Sequence, residues 1–464
     1  MQHKTTCIFI ARNLFIMYSM RCMINNIISV SVSFCFLIAC SPAKKLSKTF
    51  KKQFASDSAF TSAHIGVSVY DATSQTSILK YNSNKYFVPA SNIKIPTLYA
   101  GMKYLGQQLP GLQVNEQSDT IIVTPTGDPT FLHVDYKQQP VFNFLKSKNK
   151  PIAINTNNWR TEAFGNGWAW NDYLGSYSVE RSPMPIYGNY LLWTQQRSIE
   201  TRDGVKDTAV LIYTQPEMNW ATTFSAAKAK RFDIYRPRTE NVYTITEGKE
   251  MKAELEVPFV TNGIQATLEL LKDTLQKDVF RTTTNPTTSS QIIFSQPADS
   301  IFKPLMHRSD NFFAEQTLLM VSNQLLGFMD EQLLIDSLLK KDFKDMPHQP
   351  RWADGSGLSR YNLFTPDDFV WLLLKMKEEF GMDRLKNVFA TGNTGTLRNY
   401  YKEETGSIYA KTGSLSGVIA LSGYLYTKQN KLLVFSFLVN NHNTSPATVR
   451  RAVEKFIKEL RIKY

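Results

Sequence analysis

A serine followed three residues later by a lysine can supply a nucleophile and its base when both stand at the start of a helix. Ser91-Asn92-Ile93-Lys94 has that form. Residues i and i+3 share a helix face, so the Lys94 amine comes within reach of the Ser91 hydroxyl. A hydroxyl is a weak nucleophile until a neighbouring base takes its proton, and a helix N-terminus favours the negative charge that then develops. The spacing alone says little. It recurs at Ser41, Ser77, Ser147, Ser225, Ser300 and Ser337, and a capping serine beside a snorkelling lysine looks the same. What separates Ser91 is the apolar period behind it. Ile93, Ile95, Leu98, Tyr99 and Met102 predict a buried helix that ends near Gly106.

Two more triplets follow in order, Ser309-Asp310-Asn311 and Lys411-Thr412-Gly413. Ser-x-Asn is common and also fits Ser147-Lys148-Asn149, whereas Lys-Thr-Gly occurs once and opens a predicted strand whose glycine permits close backbone approach to a ligand. Ser-x-x-Lys, Ser-Asp-Asn and Lys-Thr-Gly in that order are the set used for serine acyl transfer.

These triplets need elements to hold them. His64–Tyr70 alternates as a strand and Ser77–Tyr81 returns to make a hairpin, and Val418–Tyr426, the turn Thr427–Asn430 and Leu432–Asn440 form a second one. Helical periodicity covers 262–277, Ala298–Leu326 and Pro366–Phe380, and Ser445–Ile462 closes the chain with Val449, Ala452, Phe456 and Leu460 inward. Between them, residues 112–258 read as short strands separated by turns. The expected fold is α+β. An antiparallel sheet is sandwiched by helices, built from residues 61–111 plus 259–464, with a β-rich insertion at 112–258 between the first and second motifs.

The first forty residues read as an export signal. Lys4, Arg12 and Arg21 stand without an acid before the apolar run of residues 27–39, which ends in Leu37-Ile38-Ala39-Cys40. Residues 1–39 are expected to be a lipoprotein-type signal peptide, with Met17, Met20 and Met23 as alternative starts, Cys40 as the lipidated residue, and 40–60 as a tether. All four cysteines (Cys7, Cys22, Cys35, Cys40) lie at or before that point, which leaves no disulfide framework or cysteine-based zinc site in the mature chain. The formal charge of +13 suits anionic wall polymer or lipid headgroups. Nucleic acid is not expected, because the cations are dispersed and no recognition module is present.

Well beyond the triplets, the sequence resembles the class C low-molecular-mass penicillin-binding proteins, the D-alanyl-D-alanine carboxypeptidase/endopeptidase group. The stretches that carry the resemblance are PASNIKIPT, TGDPTF, FGNGWAWNDYLGSYS, HRSDNFFAEQTLL, ADGSGLSRYNLFTP and AKTGSLSGVIALSGYL, spread over nearly all of the mature chain. The resemblance implies a penicillin-binding, β-lactamase-like fold outside the cytoplasm, no cofactor, and a Ser91 acyl-enzyme formed with peptidoglycan stem peptides or β-lactams. Lys94 would be the base. Ser309, backed by Lys411, would relay a proton to the leaving amine. Asn311, Thr412, Gly413 and Ser414 would hold the substrate, with Thr412 and Lys411 on the terminal carboxylate and the N–H groups of Ser91 and Ser414 as oxyanion hole. Asp172 is implied as the partner of a free diaminopimelate amine, and Arg360 as a neighbour of the substrate pocket. Phe164, Trp168, Trp170 and Tyr173 are read as core. Ser414 stands where threonine is commoner, but the backbone N–H it supplies is unchanged.

The chain has no Gly-x-Ser-x-Gly and no His-Glu-x-x-His, so neither an α/β-hydrolase nor a zinc peptidase is indicated. Two alternatives within the fold are a β-lactamase, for which no dedicated deacylating glutamate is evident, and a wall sensor that acylates without turnover.

Overall fold

A computed structural model describes residues 42–202, 205–227, 229–286 and 290–464. The expected signal peptide and Cys40 lie outside the described residues. The chain divides into two units, 1–55 and 56–464. In the first, where the sequence suggests a polar tether, Pro42–Ser56 is a helix.

The second unit is organised by a six-stranded antiparallel sheet. Its order is Ala390–Thr391, Ile408–Leu415, Val418–Tyr426, Leu432–Asn440, His64–Asp71, Thr76–Tyr81. Both predicted hairpins are present, and they meet along His64↔Asn440 to Asp71↔Leu433. Period-two alternation sends successive side chains to opposite faces. Leu432, Val434 and Leu438 join the core of the helical middle, while Phe437 packs edge-on against Phe456 of the C-terminal helix Pro446–Lys463. The sheet is thus covered on both faces, as the sequence leads one to expect.

The helical middle contains Lys94–Tyr104, Asn311–Leu326 and Pro366–Phe380. Thr365 caps the last of these through a reciprocal pair with Asp368. The predicted helix over Ala298–Leu326 is two helices, Asp299–His307 and Asn311–Leu326. Ser309 sits at the break with φ +62°, and Asp310 caps the second helix by accepting from the Phe313 N–H (3.0 Å). Apolar residues continue on both sides of this corner, so periodicity does not reveal it.

The inserted region extends past residue 258. A five-stranded mixed sheet runs Val279–Thr282, Ile152–Asn155, Ile121–Pro125, Gln108–Glu116, Gln291–Pro297, so its last strand carries the region to Pro297. The helices Pro140–Ser147 and Gln265–Leu275 bury Val141, Leu145, Leu270 and Leu271 in its core, which makes it less purely β than the sequence suggests. Two three-stranded sheets complete it. One is Lys252–Pro258, Tyr190–Arg202, Val205–Gln215, and the other is Thr222–Phe224, Tyr243–Thr246, Asp233–Tyr235.

Candidate active site

Ser91 lies in a short 3-10 turn, Ala90–Ile93, that runs straight into the helix Lys94–Tyr104. The turn is wedged between two other segments. Ala90 is held at φ +47°, and Gly357, at φ +87°, approaches so closely that a Cβ there would meet the Ala90 carbonyl at 2.0 Å. From the other side Gly413 closes in, and a Cβ on it would stand 2.7 Å from the Pro89 carbonyl and 3.2 Å from the Ser91 nitrogen. Both positions demand glycine. Asn92 locks the turn to the strand Ile408–Leu415. In the orientation that satisfies both partners, its amide donates to the Lys411 carbonyl (2.9 Å) and accepts from Ser422 Oγ (2.6 Å).

Lys94 is fully buried. Its Nζ lies 3.1 Å from Ser91 Oγ, 2.5 Å from Asn311 Oδ1 and 2.7 Å from the Ser356 carbonyl. Burial pushes its ammonium down to about 8, against the opposing pull of Asp354, Glu315 and Asp310. A neutral amine has two N–H bonds and one lone pair. With the two N–H bonds given to Asn311 and Ser356, the lone pair is left for the Ser91 hydroxyl, which is the geometry of a general base.

Lys411 is also fully buried, and its Nζ donates to Ser309 Oγ (2.8 Å) and to the Thr412 carbonyl (2.7 Å). Burial, and then the nearby Lys94 charge, hold its ammonium well below the usual lysine range. That environment fits a proton relay through Ser309 better than a fixed cation for a carboxylate. Asn311, the first residue of its helix, turns its amide nitrogen to the Tyr177 carbonyl (2.8 Å). Thr412 Oγ1 bonds Thr396 Oγ1 (2.8 Å), and Ser414 Oγ accepts from Arg450 (2.9 Å).

The structure therefore brings together Ser91, Lys94, Ser309, Asn311 and Lys411, with Thr412, Gly413 and Ser414 along one strand. Asp172 sits in a turn, half-buried, and accepts from the Tyr177 hydroxyl (3.0 Å). Tyr177 in turn borders a cavity of about 310 Å³ lined by Ser309, Asp310 and Asn311, so Asp172 is one side chain removed from that wall. Arg360 donates to the Ser416 carbonyl (2.9 Å) and so holds the turn after Ser414. The aromatic cluster is not the uniform core expected of it. Trp170 is 72% exposed, while Trp168 donates from Nε1 to Asp354 (3.0 Å).

The supporting carboxylates have no mark in the sequence as single residues. Asp354 accepts from Trp168, from the backbone N–H groups of Gly357 and Ser359, and from Asn362. Glu315 accepts from the Ser356 N–H (2.8 Å) and pairs with Arg181, which also pairs with Glu331. Burial, then Asp354, pushes the Glu315 carboxyl up to about 7, with Arg181 opposing. Together they fix residues 354–357, and through them the Ser356 carbonyl on Lys94. The stretch ADGSGLSRYNLFTP draws the eye to Asp354, but nothing short of the fold singles out Glu315.

A pH dependence follows. Protonated Lys94 has no lone pair, so acylation of Ser91 should climb about tenfold per pH unit below 8 and level off above it. Second-order rates of penicillin acylation between pH 6 and 9 measure this, and a flat profile would remove Lys94 as the base.

A family model for the D-Ala-D-Ala carboxypeptidase 3 (S13) family matches residues 47–460. The chain is 22% identical over 410 residues to the D-alanyl-D-alanine carboxypeptidase DacB of Haemophilus influenzae, covering 79% of this chain and 83% of that one. It is 24% identical over 450 residues to a D-alanyl-D-alanine carboxypeptidase of an Actinomadura species, covering 84% and 80%. The crystal structure of penicillin binding protein 4 (dacB) from Haemophilus influenzae superposes with a TM-score of 0.69 at 20% identity, covering 86% of this chain and 97% of that one. With a match that spans its length and a fold of the same kind, the chain belongs to the D-Ala-D-Ala carboxypeptidase 3 (S13) family.

Proposed function

We propose that this serine D-Ala-D-Ala peptidase cuts peptidoglycan stem peptides through a Ser91 acyl-enzyme and that β-lactams acylate the same hydroxyl. The observation that carries the reading is the buried Lys94 amine, within 3.1 Å of Ser91 Oγ while its other contacts are acceptors. Lys94 takes the Ser91 proton as Oγ attacks the D-alanyl carbonyl. The N–H groups of Ser91 and Ser414 stabilise the oxyanion, an effect of about 3–4 kcal/mol for one such donor. Ser309 protonates the departing amine and is recharged through Lys411 with the proton that Lys94 took from Ser91; water then gives its hydroxyl to the acyl carbon and a proton back to Ser91 Oγ. The buried acid Glu315 is committed to Ser356 and Arg181, which supports slow release of β-lactams over rapid β-lactamase turnover. Purified muropeptides incubated with the protein and analysed by mass spectrometry test the reading. Loss of a terminal D-alanine is expected, and unchanged muropeptides would refute it.

The leader and Cys40 are proposed to anchor the protein by lipid outside the plasma membrane. Metabolic labelling with a fatty-acid probe, lost in Cys40→Ala, is the expected result.

Asp172 is proposed to bind a free amine remote from the scissile bond. Remote contacts of this kind position the reacting centre, so kcat as well as affinity should respond. Asp172→Asn is expected to slow diaminopimelate-containing peptides by about tenfold or more while reacting almost normally with simple penicillins. Equal losses on both, or none on either, would reduce Asp172 to a turn residue.

A further inference from the structure

The cations of this chain are dispersed, but the acids that offset them are not, and none precedes Asp57. The helix Pro42–Ser56 falls wholly within that acid-free stretch and contains Lys44, Lys45, Lys48, Lys51 and Lys52. It holds half of the net charge that the chain keeps once residues 1–39 are removed. At roughly 100° per residue the five lysine positions fall within about a third of the helix circumference, with the positions of Phe50 and Phe54 opposite.

Burial divides the helix in the same way. Lys48, Lys51 and Lys52 are exposed, and among the described residues none of the three has an ion-pair partner. Phe50 and Phe54 are buried and stack with their ring centroids 6.4 Å apart. The apolar side is therefore already occupied, and what the helix offers outward is charge. A helix that inserts into a bilayer offers the reverse, an unfilled apolar face. The partner of this one must be recognised by its negative charge.

Position says which anion that is. The helix begins two residues after Cys40, so the first anionic surface it meets is the headgroup layer that holds the lipid proposed above. A lysine near such a surface strengthens attachment by roughly fivefold. Standing upright, the helix would carry Lys52 about 15 Å from its first residue. That exceeds the screening length of about 8 Å at physiological salt, and the far end of the stripe would contribute nothing. We propose that Pro42–Ser56 lies along the membrane surface with its lysine stripe on the headgroups of anionic phospholipids. The contact adds to the lipid a second hold, one that salt can loosen. It rests on the Cys40 reading for its place in the cell, and on the helix alone for its chemistry.

The test uses the chain from Cys40 onward, made in the cytoplasm and so without lipid. It is sedimented with vesicles of phosphatidylcholine, with vesicles of phosphatidylcholine mixed with phosphatidylglycerol, and with purified peptidoglycan. Binding is expected on the phosphatidylglycerol vesicles alone. It should fall by about tenfold or more between about 0.1 M and 1 M salt, as the screening length shortens from about 10 Å to about 3 Å. The variant carrying Lys48→Gln, Lys51→Gln and Lys52→Gln keeps good helix formers, and it should bind those vesicles at least about tenfold more weakly. Arginine at the same three positions should restore binding, and thermal unfolding should match the wild type in both variants. Equal binding to both kinds of vesicle, or a glutamine variant that binds as the wild type does, would overturn the inference. So would lysine-dependent binding to peptidoglycan without binding to vesicles, which would make wall polymer the partner. Failure of fatty-acid labelling at Cys40 in cells would instead refute the anchor and leave the vesicle result standing.

Discussion

Ser91→Ala is expected to abolish covalent penicillin labelling and to lower D-Ala-D-Ala peptidase activity by on the order of 10⁴-fold or more, the scale seen when an activated serine is removed. The reasoning is local. The hydroxyl is held against the Lys94 amine by a turn fixed from both sides by Gly357 and Gly413. Alanine removes one oxygen from a half-buried position and leaves Lys94 bonded to Asn311 and Ser356. The fold should therefore survive, with thermal unfolding close to that of the wild type. Intact-mass measurement after penicillin treatment reads the outcome. An adduct that persists in the variant would move the nucleophile to another residue.

Lys411→Met should cost about 10²–10⁴-fold in kcat/KM on peptides, the usual contribution of a positioned proton-transfer group. Methionine keeps most of the buried volume and lacks the amine, so it separates chemistry from packing better than alanine does. Lys411 meets the Ser309 hydroxyl at 2.8 Å in a fully buried setting, and without it that hydroxyl has no source from which to regain the proton it gives away. Lys411→Ala should show the same loss, with some additional destabilisation from the vacated space. A methionine variant with near-normal kcat/KM would refute the relay.

The sequence made some of this legible and hid the rest for physical reasons. The strands Val418–Tyr426 and Leu432–Asn440 and the helix Pro366–Phe380 match the expected elements residue for residue, because each is one continuous, largely apolar stretch. The three triplets are likewise local, and they converge in space. The corner at Ser309 is invisible, since Ile301, Phe302, Leu305 and Met306 before it and Phe312 and Phe313 after it all enter one core. The reach of the inserted region to Pro297 is hidden differently. Gln291–Pro297 pairs with Gln108–Glu116 across a long stretch of chain, and sheet partners at that distance leave no local periodicity. Glu315 lies in an otherwise apolar helix, and its worth depends on Arg181 and Ser356, which arrive from elsewhere.

The junction of the two hairpins has a consequence for the life of the chain. Val88, just ahead of the Ser91 turn, donates to Asn440 Oδ1 across 352 residues (2.8 Å), and one edge of His64–Asp71 is paired by Leu432–Asn440, from the far end of the chain. Pairings so distant in sequence form late, because the intervening chain must first be brought to order. A polypeptide still emerging from a ribosome or a translocation channel thus possesses Ser91 and Lys94 long before it possesses the walls that align them. Newly made molecules should be inert toward the wall and blind to penicillin until the final hairpin arrives.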